Sequence, residues 1–245
     1  MNGVVMTNKD ILVLDNVDVM AEFMVQRFVE RYEEALSARN QFVVALSGGN
    51  APVKFYQMLA TDDKIDWRKV HIFLVDERFV ALDHDDNNYH LLHVNLLDHV
   101  KLPEKNRHYV PIVDSVVESA RQYEKQVDDF FETSDKQWPQ FDLIMLGVGL
   151  DGHTASLFPD SAELLEKTHR VVAVETSHAN YQRVTITLPV INNARHVIFY
   201  VSGAAKKEIM HRIIDNADQS LPASHVAPTH GTLTFILDRF AAQSC

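Results

Sequence analysis

The sequence predicts an α/β fold built on a mainly parallel sheet. Three observations carry that reading. Short β-branched runs alternate along the chain with longer amphipathic stretches, the pattern of strand–helix–strand units. Polar or glycine-rich segments at 47–50, 76–78 and 147–153 follow three of those runs, and in such sheets ligands sit beyond the carboxyl ends of the strands. The length, 245 residues, is that of one large domain or two small ones and suffices to bury a sizeable core.

The elements follow in order. Ile11–Leu14 reads as a strand, and Met20, Met24, Phe28, Tyr32 and Leu36 recur every four residues, which predicts an amphipathic helix over about 18–38. Phe42–Leu46 is a compact apolar run, hence a buried strand, and Asn50 and Pro52 suit the start of a helix carrying Val53, Tyr56 and Leu59. Val70–Val75 is a third strand, ending at Asp76-Glu77-Arg78. Helical periodicity then covers about 87–99 and 115–131. Phe141–Leu146 is a strand, as are Val171–Val174, Val184–Leu188, Val197–Val201 and Leu233–Leu237, with a helix near 205–216.

Composition narrows the function. Lys and Arg number 23 against 34 Asp and Glu, so the net charge is −11, which disfavours non-specific binding to nucleic acid or an anionic membrane. Any anionic substrate therefore requires a local positive pocket. The lone cysteine, Cys245, excludes an intrachain disulfide framework and a cysteine-rich zinc site, and points to a reducing compartment. The first apolar run, four residues, is too short for a signal peptide, and no stretch approaches the ~20 apolar residues of a membrane span. The expectation is a soluble cytoplasmic protein.

Four segments carry possible chemistry. Ser47-Gly48-Gly49-Asn50 joins a strand to a helix, where unpaired N–H groups favour an anion; an ordinary tight turn would look the same. Gly147-Val-Gly149-Leu-Asp-Gly152 matches the G-x-G-x-x-G dinucleotide fingerprint, but Asp151 would face a pyrophosphate and Pro159 interrupts the expected helix. Asp151-Gly-His153 places a carboxylate two residues from an imidazole, the usual general base near neutral pH. Asp76-Glu77-Arg78, with Arg183 and Lys206, supplies cations suited to phosphate or carboxylate, although each alone reads as a surface charge. His90 and His93 have a helical metal-ligand spacing but no evident third ligand, and no G-x-S-x-G elbow of a serine hydrolase is present.

Together these strings resemble the 6-phosphogluconolactonase family. They are Ala45-Leu-Ser-Gly-Gly-Asn50, Phe73-Leu-Val-Asp-Glu-Arg78, Asn87-Asn-Tyr89 and the long run from Phe141 to Pro159, extended by Arg183-Val-Thr-Ile-Thr187, Gly203-Ala-Ala-Lys206 and Leu221-Pro-Ala223. The resemblance spans about residues 40 to 240. It implies a single Rossmann-like domain over 1–245 with helices on both sheet faces, shared with glucosamine-6-phosphate deaminases. It implies hydrolysis of 6-phospho-D-glucono-1,5-lactone to 6-phosphogluconate in the oxidative pentose phosphate pathway, with no metal or organic cofactor. The catalytic residues would be His153, acting on water, and Asp151. Ser47, Gly48, Gly49, Asn50, Asp76, Arg78, Arg183 and Lys206 would bind the phosphosugar lactone. No nucleic-acid or membrane partner is implied, and a monomer or a small homo-oligomer both fit.

One stretch departs from the family pattern. Where lactonases often carry a Lys-Pro-rich segment, this chain has Ser177-His-Ala-Asn-Tyr-Gln182, in which His178 replaces the cation only partly. The alternatives are a deaminase-like activity, a non-catalytic sugar-phosphate-binding protein and a nicotinamide-dependent oxidoreductase. The deaminase string carries a ring-opening carboxylate where this chain has Phe158, which cannot shuttle a proton.

Overall fold

Side-chain alternation along the strands decides the architecture. In the computed structural model, which describes residues 8–133, 137–175 and 177–243, the strands are β1 (Asn8–Leu14), β2 (Phe42–Leu46), β3 (Val70–Leu74), β4 (Asp76–Arg78), β5 (Arg107–His108), β6 (Leu143–Leu146), β7 (Val171–Val174), β8 (Arg183–Ile186), β9 (His196–Val201) and β10 (Thr232–Asp238). The α-helices are α1 (Val17–Arg39), α2 (Val53–Leu59), α3 (Asn88–Leu92), α4 (Val116–Phe131), α5 (Leu188–Asn192) and α6 (Lys207–Ile214). Val43, Ala45, Phe73, Ile144, Leu146, Val197 and Phe199 point to one face and pack against α4, α5 and α6. Their neighbours Phe42, Val44, Leu46, Ile72, Leu143, Met145 and Ile198 point to the other and pack against α1, α2 and α3. Both faces are apolar, so the strands read as continuous hydrophobic runs, as buried parallel strands do.

Seven strands form a parallel sheet in the order β1-β10-β9-β6-β2-β3-β5. From β2 the chain proceeds to β3 on one side, and from β6 it proceeds to β9 on the other. The gap between β2 and β6 is therefore the point at which the winding reverses, where a crevice opens at the carboxyl edge. The loops leaving these two strands are Ser47–Asn50 and Gly147–His153. A second, antiparallel sheet in the order β4-β8-β7 sits beside that edge. It is tied to the main sheet through Val75, whose N–H donates to Leu46 O and whose carbonyl accepts from Ile186 N, both at 3.0 Å. The expected α/β architecture, with its parallel sheet, helices on both faces and single-domain fold, is the observed one.

Local differences have physical causes. Asp76-Glu77-Arg78 does not end the third strand but opens the second sheet, because a two-sided apolar sheet interior has no place for three charges in a row. The strand expected over 184–188 spans Arg183–Ile186, since Pro189 sits in the first turn of α5 and ends the ladder. The helix expected over 87–99 is α3 followed by a π-helical turn at His93–Leu97. Residues 147–161 contain no helix, so the dinucleotide fingerprint lacks the helix start on which a pyrophosphate would rest. Cys245 lies outside the described residues.

Candidate active site

The two loops at the crevice are held to each other. Ser47 Oγ donates to Met145 O of β6 at 2.6 Å, and Tyr56 Oη, from α2 below, donates to Ser47 O at 2.5 Å. Gly48 is required by proximity, because a Cβ there would lie 1.9 Å from Oδ1 of the buried Asn88. Ser47 is thus a positioned group at the base of the crevice rather than a free hydroxyl.

The loop after β6 is folded back by Thr154 Oγ1, which donates to Gly147 O at 2.9 Å, and by Gly149 N, which donates to His153 O at 2.8 Å. This turn aims the His153 ring at the Asp151 carboxylate, with Nδ1 and Oδ1 2.6 Å apart. Gly149 makes room for the pair, since a Cβ on it would fall 2.1 Å from His153 Nδ1 and 2.5 Å from Asp151 Oδ1. Partial burial works against the Asp151 carboxylate, but the attraction of His153 and its hydrogen bonds prevail and hold the pKa below the ordinary value. With Nδ1–H donated to Asp151, Nε2 carries the lone pair and the ring orientation is fixed.

The cations arrive from three elements. Pairing of β4 with β8 sets Arg78 directly opposite Arg183. Like charges so placed repel, and their juxtaposition is stable only with anions nearby. Arg78 Nη1 donates to Asp86 O at 2.6 Å, and Arg183 Nη1 lies 3.9 Å from Asp76 Oδ2. The Nε atoms of both arginines are buried with no hydrogen-bond partner among the described residues. Burial, with the neighbouring Arg78, pulls the Arg183 pKa down despite Asp76. Lys206, in the turn after β9, donates to Val148 O at 2.6 Å; burial lowers its pKa against the opposing pull of Asp151.

Asp76 serves Arg183 rather than Arg78. Its Oδ2 accepts from Ser156 Oγ at 2.6 Å, and Asn88 Nδ2 donates to its carbonyl at 2.9 Å. Next to it, buried Glu77 accepts from the backbone N–H groups of Arg78, Asn88 and Tyr89 at 2.7–2.8 Å, so one carboxyl fixes both β4 and the start of α3. Burial pushes that carboxyl up to about 7, against the three N–H bonds that favour its ionised form.

Ser47, Gly48, Gly49, Asn50, Asp76, Arg78, His153, Arg183 and Lys206 all line one cleft of about 690 Å³. Asp151, the tenth expected residue, stands behind His153. Asn88, Glu77 and Ser156 lie within the strings that carried the resemblance, but no sequence signal separated their supporting role from ordinary turn polarity. His178 stacks on Phe158, with centroids 6.0 Å apart, and Phe158 in turn packs 4.7 Å from the His153 ring.

The chain as a whole is similar to known proteins. The sequence profile of the glucosamine-6-phosphate isomerases/6-phosphogluconolactonase family matches residues 15–235. A 6-phosphogluconolactonase of Synechocystis is 38% identical over 235 residues, covering 95% of this chain and 96% of its own. The crystal structure of 6-phosphogluconolactonase from Thermotoga maritima superposes with a TM-score of 0.82 at 30% identity, over 94% of this chain and 99% of its own. That from Trypanosoma cruzi gives 0.87 at 28% identity, over 99% of both chains. Family profile, sequence identity and overall structure agree, and the chain belongs to the glucosamine-6-phosphate isomerases/6-phosphogluconolactonase family.

Proposed function

We propose that this protein is a 6-phosphogluconolactonase, hydrolysing 6-phospho-D-glucono-1,5-lactone to 6-phospho-D-gluconate in the oxidative pentose phosphate pathway. The observation that carries the reading is the Asp151-backed imidazole in one cleft with Arg78, Arg183 and Lys206. An imidazole can activate water, the cations can hold a phosphate, and lactone hydrolysis needs both. The hydrophobic Phe158 beside His153 offers no second acid of the kind a ring-opening deamination would use.

In the proposed mechanism the phosphate rests on the Ser47–Asn50 loop and is clamped by one or more of Arg78, Arg183 and Lys206. This remote anchoring sets the lactone carbonyl against His153. Nε2 of neutral His153 takes a proton as the water oxygen bonds to C1. Loop N–H groups or a nearby cation stabilise the tetrahedral oxyanion. The oxyanion then collapses, the bond from C1 to the ring oxygen breaks, and His153 returns the proton to that oxygen. The resulting carboxylic acid ionises in water. Asp151 holds the ring and stabilises the imidazolium throughout. None of these steps uses a metal or an organic cofactor, so turnover should survive dialysis against a chelator. We place the activity in the cytoplasm, on the single cysteine in 245 residues.

The test is turnover of freshly prepared 6-phosphogluconolactone against a no-enzyme control, since such esters also hydrolyse unaided. Acceleration well above the spontaneous rate supports the proposal. Tight binding of 6-phosphogluconate with no acceleration would establish a sugar-phosphate-binding protein instead.

A further inference from the structure

We infer that the hydroxyl of Tyr200 is an additional substrate-binding donor, reaching a phosphoryl oxygen of the ligand held on the Ser47–Asn50 loop. The inference rests on the lactonase reading above. Tyr200 is the penultimate residue of β9, on the sheet face covered by α1 and α2, and its ring packs near Phe55 with centroids 6.4 Å apart. The residue is 2% exposed, yet it lines the cleft beside Val17, Pro52 and Ser202. Its Oη is buried and has no hydrogen-bond partner among the described residues.

That isolation is unusual for a buried hydroxyl. The neighbouring buried Tyr56 shows the ordinary solution, with its Oη on Ser47 O. The carboxylates whose charge acts on Tyr200 are Asp18 and Asp238, and both are engaged elsewhere. Asp238 accepts from Gly203 N and Ala241 N, and Asp18 is 3.2 Å from Lys54 Nζ. Burial, reinforced by these two carboxylates, raises the phenol pKa, so the group stays a neutral donor at physiological pH. Phenylalanine would fill the same space without stranding a polar atom. A donor held unpaired at the wall of an anion-binding cleft is complementary to an acceptor that arrives with the ligand. The ionised phosphoryl oxygens accept, and their charge strengthens the bond.

The experiment compares the wild type with Tyr200→Phe in three measurements: steady-state kinetics on fresh 6-phosphogluconolactone, competitive inhibition by inorganic phosphate, and thermal unfolding without ligand. The expected result is a KM and a phosphate Ki each raised about 10-fold, kcat within about twofold, and a Tm equal to or above that of the wild type. An unchanged KM overturns the inference. So does a lowered Tm, which would give the hydroxyl a structural partner, or an unchanged phosphate Ki, which would place its partner elsewhere on the substrate. A wild type that leaves the lactone at its spontaneous rate overturns the lactonase reading, and this inference with it.

Discussion

Gly149 and Asp151 show how closely single residues constrain the chemistry. Gly149→Ala places a methyl 2.1 Å from His153 Nδ1, so the imidazole must move or turn. A displacement of about 1 Å costs roughly 10²-fold in kcat, while stopped turnover with an unshifted Tm would separate misalignment from unfolding. Asp151→Asn removes the carboxylate that fixes the tautomer, and kcat should fall by about 10-fold or more with KM nearly unchanged. Much of this site was legible in sequence because Ser47–Asn50 and Asp151–His153 follow apolar runs, where a parallel sheet presents its ligands. The role of Asp76 was not, because only the antiparallel pairing of β4 with β8 reveals that its partner is Arg183. Tyr200 gave no signal at all: an aromatic residue inside Val197–Val201 reads as core.

Elements made of regular apolar repeats were readable, and elements made of exchanged hydrogen bonds were not. The four-residue stripe of α1 and the run Phe42–Leu46 announce themselves, whereas β4 is defined by what Glu77 and Val75 bond to across the chain. Glu77→Ala strands three backbone N–H groups at the start of α3 and along β4. At about 1–3 kcal/mol for each buried unsatisfied donor, it should destabilise the protein by several kcal/mol, measured by chemical denaturation. The edge of the sheet carries a pH dependence of its own. On β5, His108 stacks on Phe73 with centroids 4.0 Å apart and lies 3.2 Å from His71 of β3. Burial, with His71 adding to it, pushes the His108 pKa down to about 4, and burial lowers that of His71 as well. The folded state thus favours the neutral rings. Their contribution is complete above the unfolded value of about 6.5 and is lost as pH falls toward 4. His108→Gln should flatten the fall in Tm between those limits; an identical profile would show that the ring does not titrate with folding.

At the scale of the molecule, a chain of net charge −11 gathers Arg78, Arg183 and Lys206, distant in sequence, at one carboxyl edge. The winding reversal between β2 and β6 opens the crevice, and the small β4-β8-β7 sheet delivers two of the three cations to it. On the proposed mechanism Arg183 anchors the phosphate away from the reacting carbon, so Arg183→Ala should chiefly raise KM, by about 10-fold or more. If neither it nor Lys206→Ala changes KM, the phosphate lies elsewhere. The central claim is that this edge anchors a phosphosugar lactone so that His153 can activate water upon it. The most direct measurement is the steady-state rate of His153→Ala on fresh 6-phosphogluconolactone, corrected for spontaneous hydrolysis and paired with its Tm. The expected kcat is lower by roughly 10²–10⁴-fold at an unchanged Tm; a kcat equal to that of the wild type would remove His153 from the chemistry.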